Sequence, residues 1–149
     1  MKKINKNPKV QILLATYNGE KFLHEQLDSI VNQEYKFWEL LIHDDGSNDN
    51  TILILNKYKN KFPNKIRLLI DQKIFSSASK NFFHLMENRS KEANLYCLCD
   101  QDDIWHKSKL KVFVERYNSK GDKEPLLIHS DLSLIDDQGQ LLENSHNIL

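Results

Sequence analysis

The chain has 149 residues, and its 21 Lys and Arg balance 21 Asp and Glu, for a formal net charge of +0. That balance excludes a nucleic-acid binder relying on a bulk positive field, because phosphate binding is mainly charge neutralisation. Hydrophobic residues at 40% and charged residues at 28% exclude a disordered or fibrous chain, so one globular domain over 1–149 is expected, burying roughly 70% of its unfolded surface.

Lys2, Lys3, Lys6 and Lys9 precede an apolar stretch, Val10–Ala15, that is too short for a signal-peptide core, and no apolar run approaches the roughly 20 residues that cross a bilayer. A cytoplasmic location is expected. Val10–Thr16, continuously apolar and rich in strand formers, predicts a strand buried on both faces, stopped by Asn18 and Gly19. Leu23, Leu27, Ile30 and Val31 recur at helical spacing and predict a helix over about 20–33 packed on a sheet. Trp38–His43 reads as a second strand and Asp44-Asp45-Gly46-Ser47-Asn48-Asp49 as a turn into a helix carrying Ile52, Leu55 and Phe62. Ile66–Ile70 is a third strand. Ser77 or Ser79 caps a helix whose inward residues are Ala78, Phe82, Leu85 and Met86. Leu95–Cys99 is a fourth strand, ending in Asp100-Gln101-Asp102-Asp103. Its Cys97 and Cys99 would share one face and suit neither a disulfide framework nor a zinc site, so both read as reduced core residues. Leu110, Phe113, Val114 and Tyr117 mark another helix. Leu126–His129 is predicted as a fifth strand, and Asp136-Asp137-Gln138-Gly139 as a turn into a last strand at 140–142. Short apolar runs alternating with helical stripes predict an α/β fold, a mostly parallel sheet with helices on both faces.

In such a sheet ligands bind at the carboxyl ends of the strands. Three polar clusters lie there: Thr16-Tyr17-Asn18, Asp44-Asp45, and Asp100, Asp102 and Asp103. Converging carboxylates repel unless a cation sits among them, and Mg2+ or Mn2+ accepts a few carboxylates together with phosphate oxygens and water. No glycine-rich phosphate loop is present, so a metal must carry the phosphate charge of a diphosphate partner. His43, His84, His106 and His129 show no ligand spacing and read as structural or exposed, and Trp105 as packing beneath the acidic turn.

The series Leu14-Ala15-Thr16-Tyr17-Asn18, Ile42-His43-Asp44-Asp45-Gly46-Ser47-Asn48-Asp49-Asn50-Thr51 and Cys99-Asp100-Gln101-Asp102-Asp103-Ile104-Trp105 resembles the nucleotide-sugar half of a family 2 glycosyltransferase of the GT-A type. Ser76 to Phe82 and the Asp-Gln-Asp-Asp-Ile-Trp form further resemble rhamnosyltransferase-like members that build surface polysaccharides. The resemblance implies a donor such as a UDP- or dTDP-sugar, and transfer, inverting in outcome, to a polysaccharide or lipid-linked acceptor at the inner face of the membrane. It implies that Ala15, Thr16, Tyr17 and Asn18 form the nucleotide loop, with Ala15 and Tyr17 against the base. Asp45 would accept a hydrogen bond from the base imide, and Asp44 would support that turn or the ribose. Asp102 would ligate the metal bridging the phosphates, with Asp100 nearer the ribose or donor sugar. Lys80 stands where the family often has a basic residue facing the donor. The general base of an inverting transfer comes later in such enzymes, so the chain is expected to stop before the acceptor-binding part. Asp131 and Asp137 do not match the base position.

The alternative is a module that holds a nucleotide sugar without turning it over. A receiver-like signalling domain would need a phosphoacceptor Asp after the third strand and a Lys after the fifth; Asp71 is present, but no Lys follows His129 in that place. A nucleotidyltransferase would need a basic glycine-rich loop near the N-terminus that the chain lacks.

Overall fold

The computed structural model describes residues 7–120, 125–136 and 139–144. Its centre is β1 (Val10–Thr16), whose seven residues are all buried. Parallel ladders run along both edges of β1. Val10 to Thr16 pair with Trp38 to Asp44 of β2 (Trp38–Asp44), and Val10 to Leu14 pair with Leu95 to Cys99 of β4 (Leu95–Cys99). A short β3 (Ile66–Leu68) pairs with β2, giving the order β3, β2, β1, β4.

Parallel neighbours need crossovers, and helices supply them. These are α1 (Leu23–Val31), α2 (Thr51–Lys61) and α3 (Ala78–Glu87), with α4 (Lys109–Lys120) following β4. The pleat of β1 divides the core in two. Val10, Ile12 and Leu14 face Leu23, Leu27 and Ile30 of α1, Ile54, Leu55 and Tyr58 of α2, and Leu110 and Val114 of α4. Leu13 and Ala15 face the opposite side, where they join Leu41 of β2 and Leu85 of α3 closes over them. This is the expected α/β arrangement, with helices on both faces.

Several elements differ from the sequence expectation. Glu20 to Phe22 are spent in a turn before α1, the Phe22 and Leu23 N–H groups both donating to the Gly19 carbonyl at 3.0 Å. Ile52 faces solvent, while Thr51, Ile54, Leu55 and Tyr58 form the buried stripe of α2. Ser77 is the N-cap of α3, but Ala78 is exposed, and two polar residues, Asn81 and His84, are buried beside Leu85. β3 stops at Leu68, leaving Ile70 80% exposed.

Leu126–His129 is not a strand. Leu126 and Leu127 lie along the outer side of β4 in a groove shared with Leu95, Cys97 and Leu98, and no ladder joins them to it. An apolar run becomes a strand only where a neighbouring edge satisfies its backbone groups. The fifth strand is instead β5 (Ser133–Ile135), antiparallel to β6 (Leu141–Asn144) and outside the main sheet. The predicted turn closes through the Gly139 N–H on the Asp136 carbonyl at 3.0 Å, with Gly139 at φ 77°. Asp137 and Gln138 lie outside the described residues.

Cys97 and Cys99 are free, buried and in the same core cluster, and burial pushes the Cys97 thiol up to about 12. No helix among the described residues is long and apolar enough to cross a membrane. Leu14 is fully buried at the centre of the larger core. Leu14→Ala is expected to destabilise the fold by about 3 kcal/mol through lost transfer energy and the cavity left behind, read as a lower urea midpoint at unchanged slope.

Candidate functional site

The chain builds outward from β1 through β2 to β3, then returns to place β4 on the other side of β1. The loops after β1 and β4 therefore diverge, and a crevice opens between them at the carboxyl edge of the sheet. It is a cleft of about 420 Å³, and Ala15, Thr16, Tyr17, Asp45, Asp100 and Asp102 all line it. Ser76, Ser77, Ala78 and Asn81 form the wall contributed by the start of α3. Six of the nine residues singled out in the sequence thus meet in one place. Asn18, Asp44 and Lys80 do not line it.

Asn18 and Asp44 hold the cleft's floor together instead. The Asp44 carboxylate accepts from the Thr16 hydroxyl at 2.8 Å, from the Gly46 and Ser47 N–H groups at 3.2 and 2.8 Å, and from the Ser47 hydroxyl at 2.6 Å. With Gly46 at φ 87°, this is a side-chain-organised turn. Asn18, in the left-handed region at φ 46°, accepts from the Asn48 N–H at 2.9 Å while its own N–H donates to the Ser47 hydroxyl at 2.8 Å. The Gly19 N–H donates to Thr51 at 2.8 Å, the Glu20 N–H to Asp49 at 3.1 Å, and the Asn50 N–H back to Glu20 at 3.0 Å. The loops after β1 and β2 are one hydrogen-bonded unit.

Asp45 is 4% exposed. Its N–H donates to the Thr16 carbonyl at 2.9 Å, and its carboxylate accepts from the Phe75 N–H at 2.5 Å and the Ser77 N–H at 3.1 Å. One carboxylate on β2's loop therefore holds the far wall of the cleft. Tyr17, 55% exposed, stands at the rim. Lys80, on the first turn of α3, lines a separate shallow groove with Lys73, Phe83 and Glu87.

The acidic turn after β4 is tied in by a residue that the sequence reading passed over. The Gln101 amide accepts from the Tyr17 N–H at 2.8 Å and donates to the Tyr17 carbonyl at 3.0 Å, so it pairs with that residue's backbone as a neighbouring strand would. Asp100 and Asp102, flanking it, are aimed at the cleft by this pairing. A Cβ on Gly19 would overlap the Gln101 amide, which explains a residue without a side chain there. Trp105 is buried beneath the turn, with the Lys109 ammonium 4.6 Å from its ring centre.

Partial burial and the like charges of Asp103 and Asp102 push the Asp100 carboxyl above its ordinary value. Hard oxygen donors under mutual repulsion fit a divalent cation such as Mg2+ or Mn2+, with diphosphate and water oxygens completing its shell. Among the described residues, the tightest grouping of metal-capable side chains lies elsewhere: His43, Asp71 and His84 have ligand atoms within 4.8 Å of one another. Sequence reading left the two histidines unconnected because they sit on β2 and α3, and only the topology brings them together.

Gly19→Ala is expected to cost about 1–2 kcal/mol by displacing the Gln101 amide and both its hydrogen bonds, and Gln101→Ala about the same. The double variant should lose little more than either single one, so a double-mutant cycle in urea that proves additive would contradict the coupling.

Comparison with known proteins agrees with this geometry. The sequence profile of glycosyl transferase family 2 matches residues 11–123. The dTDP-rhamnosyl transferase RfbG of Shigella flexneri is 41% identical over 103 residues, which is 68% of this chain and 36% of RfbG. Among solved structures, Staphylococcus aureus TarS 1–349 superposes with a TM-score of 0.64 at 26% identity, over 72% of this chain and 31% of TarS 1–349. The mannosyltransferase PcManGT of Pyrobaculum calidifontis gives 0.62 at 20% identity, covering 72% of this chain and 31% of that one, a likeness of fold. The chain thus spans about a third of the length of such relatives. The chain, built on a parallel sheet of the GT-A type, belongs to glycosyl transferase family 2.

Proposed function

We propose that this chain is the donor-binding part of a metal-assisted, inverting glycosyltransferase that takes a UDP- or dTDP-sugar and serves a polysaccharide or lipid-linked acceptor. The observation that carries the reading is the shared cleft: the loop of Ala15, Thr16 and Tyr17, the buried Asp45 and the acidic pair Asp100 and Asp102 line one cavity at the switch point of the sheet. The rhamnosyl donor in the name of RfbG, and the UDP-GlcNAc complex solved for TarS, support a nucleotide sugar as the occupant.

On this reading the base lies between Ala15 and Tyr17, near Asp45. Asn18 and Asp44 keep that loop in place, and Lys80 reaches toward the donor only by swinging its long side chain. Asp102, with Asp100 beside it, would hold Mg2+ or Mn2+, as PcManGT holds Mn2+ with GDP-Man. Such an ion would stabilise the diphosphate leaving group without proton transfer. The remaining task, deprotonating the acceptor hydroxyl, needs a carboxylate on the opposite face of the sugar. We assign that base and the acceptor site to the remainder of an enzyme of the relatives' length. The protein would work in the cytoplasm, at the inner face of the membrane. A module that holds the donor without turnover is the second reading. Donor hydrolysis or transfer by the purified chain separates the two.

Calorimetric titration with UDP and dTDP tests the site. Asp102→Asn is expected to abolish the Mn2+-dependent part of the affinity with the fold intact, and unchanged affinity would remove the metal assignment. Asp45→Ala should weaken binding without metal as well, since it frees the wall at Phe75 and Ser77. The raised Asp100 carboxyl takes up its proton earlier than an ordinary aspartate as pH falls. Mn2+ affinity should therefore decline, as pH falls, before an ordinary aspartate would take up its proton, and Asp100→Asn should weaken binding and leave the remaining decline at lower pH.

A further inference from the structure

His43 on β2, His84 on α3 and Asp71 in the loop between β3 and α3 meet on the α3 face of the sheet, and none of the three lines the cleft described above. The two imidazoles are 2% and 4% exposed. The His43 Nε2 lies 3.2 Å from one Asp71 oxygen and the His84 Nε2 2.5 Å from the other. The rings meet edge to face at 4.8 Å, and Phe75 packs against both, at 5.7 and 5.2 Å.

The outer partners of the two rings count the protons. The Asn81 amide nitrogen donates to the His43 carbonyl at 3.3 Å, which turns its oxygen toward the His43 Nδ1 at 2.8 Å, so Nδ1 carries a proton. The Nε2 facing the carboxylate must carry one as well. His84 differs. Its Nδ1 faces the Asn88 amide nitrogen at 3.4 Å, and that nitrogen also donates to the His84 carbonyl at 2.9 Å. The Nδ1 is therefore an acceptor, and the proton sits on Nε2. Assigned from these partners alone, the hydrogen bonds are all satisfied by protons on both nitrogens of His43 and on Nε2 of His84, with the carboxylate accepting from both rings.

The same arrangement argues against an ion. Two ligands on a tetrahedral metal with bonds of about 2.0–2.1 Å stand about 3.3 Å apart. The His84 Nε2 and the Asp71 oxygen are closer, at 2.5 Å. A metal-bound imidazole also presents N–H on its outer side, where Asn88 offers His84 a donor.

We propose that this triad is a proton-dependent clamp that positions the 71–77 segment and, through it, the Asp45 wall of the cleft. Asp71, His43 and His84 are positioning residues. Asp71 also accepts the Lys73 N–H at 3.3 Å, anchoring one end of the segment, while Phe75 and Ser77 anchor the other on Asp45. Between the anchors, Gln72 and Ser76 sit in the left-handed region at φ 57° and 51°, a strain of about 1 kcal/mol each that persists only when the surroundings enforce it. The other charged groups nearby are Lys73, Lys80 and Glu87, which share the groove onto which His84 opens, and Asp45, just past the end of β2 and two residues on from His43. Burial pushes the Asp71 carboxyl up, but the Lys73 N–H and the two histidines outweigh it and hold it below the ordinary range.

Nuclear magnetic resonance on the whole chain reads the clamp without any ligand. At pH 6, ring nitrogen shifts should show both nitrogens of His43 protonated and His84 neutral with its proton on Nε2. Protection factors of the Phe75 and Ser77 amides should fall about tenfold between pH 6 and pH 8.5, as the His43 proton leaves and its lone pair faces the carboxylate. Asp71→Asn donates to a neutral His43 and accepts from His84 but gives up the Lys73 N–H, so it should lose the pH dependence and hold a protection between the two values of the parent. Asp71→Ala should lose protection at both values. A bare His43 nitrogen at pH 6, equal pH dependence in Asp71→Asn, unchanged protection in Asp71→Ala, or tightly retained stoichiometric Zn2+ would each overturn the clamp. Its effect on ligand rests on the nucleotide reading: UDP or dTDP affinity should follow the amide protection in all three proteins. Amide data as expected in a chain that binds no nucleotide support the clamp and refute the proposed function alone.

Discussion

The buried backbone of β1 is the constraint on which the rest depends. All seven residues are out of water, so their N–H and C=O groups must be paired along both edges, since an orphaned buried group costs roughly as much as a lost hydrogen bond. β2 and β4 supply those partners in fixed register, with Thr16 opposite Asp44 and Leu14 opposite Cys99. Asp45 and Asp100 are the residues just beyond those pairs. A slip of one residue would turn Ile12 and Leu14 away from their core and move both acids.

The acidic residues of this edge divide according to what satisfies them. Asp44 and Asp49 are taken up by hydroxyl and backbone donors and act as parts of the frame. Asp45 stands between, engaged by the opposite wall yet open to the cleft. Asp100 has its charge opposed by its neighbours rather than relieved. A fold tolerates such local conflict where a ligand resolves it. The boundary between carboxylates taken up by the frame and carboxylates that line the cleft therefore runs within one motif, and Asp44 and Asp45, adjacent in sequence, fall on different sides of it.

Much of this was legible in the residues. β1, β2 and β4 are largely apolar runs of five to seven residues rich in strand formers, which leaves few other ways to read them. The three acidic and polar clusters were placed correctly because they follow those strands. Leu126–His129 has the same apolar look, but strand formation depends on an available edge, which local pattern does not encode. The inward stripe of α3 was misjudged at Asn81 and His84 because polar residues are buried there, and their partners on β2 and in the loop at Asp71 lie far away in sequence. Gln101 carried no signal of its own: an amide between two aspartates looks like a spacer until Tyr17's backbone is beside it.

The order β3, β2, β1, β4 also leaves β4 outermost, with Leu98 57% exposed and Leu127, alongside it, 88% exposed. An outer edge that joins no ladder among the described residues and is flanked by leucines is adhesive, since an extended peptide of matching pleat can pair along it and bury its side chains at once. In a crowded solution of the isolated chain, the peptide nearest at hand is another molecule's rim. Solubility is thus governed at the border of the sheet farthest from β3, by whatever comes to seal it.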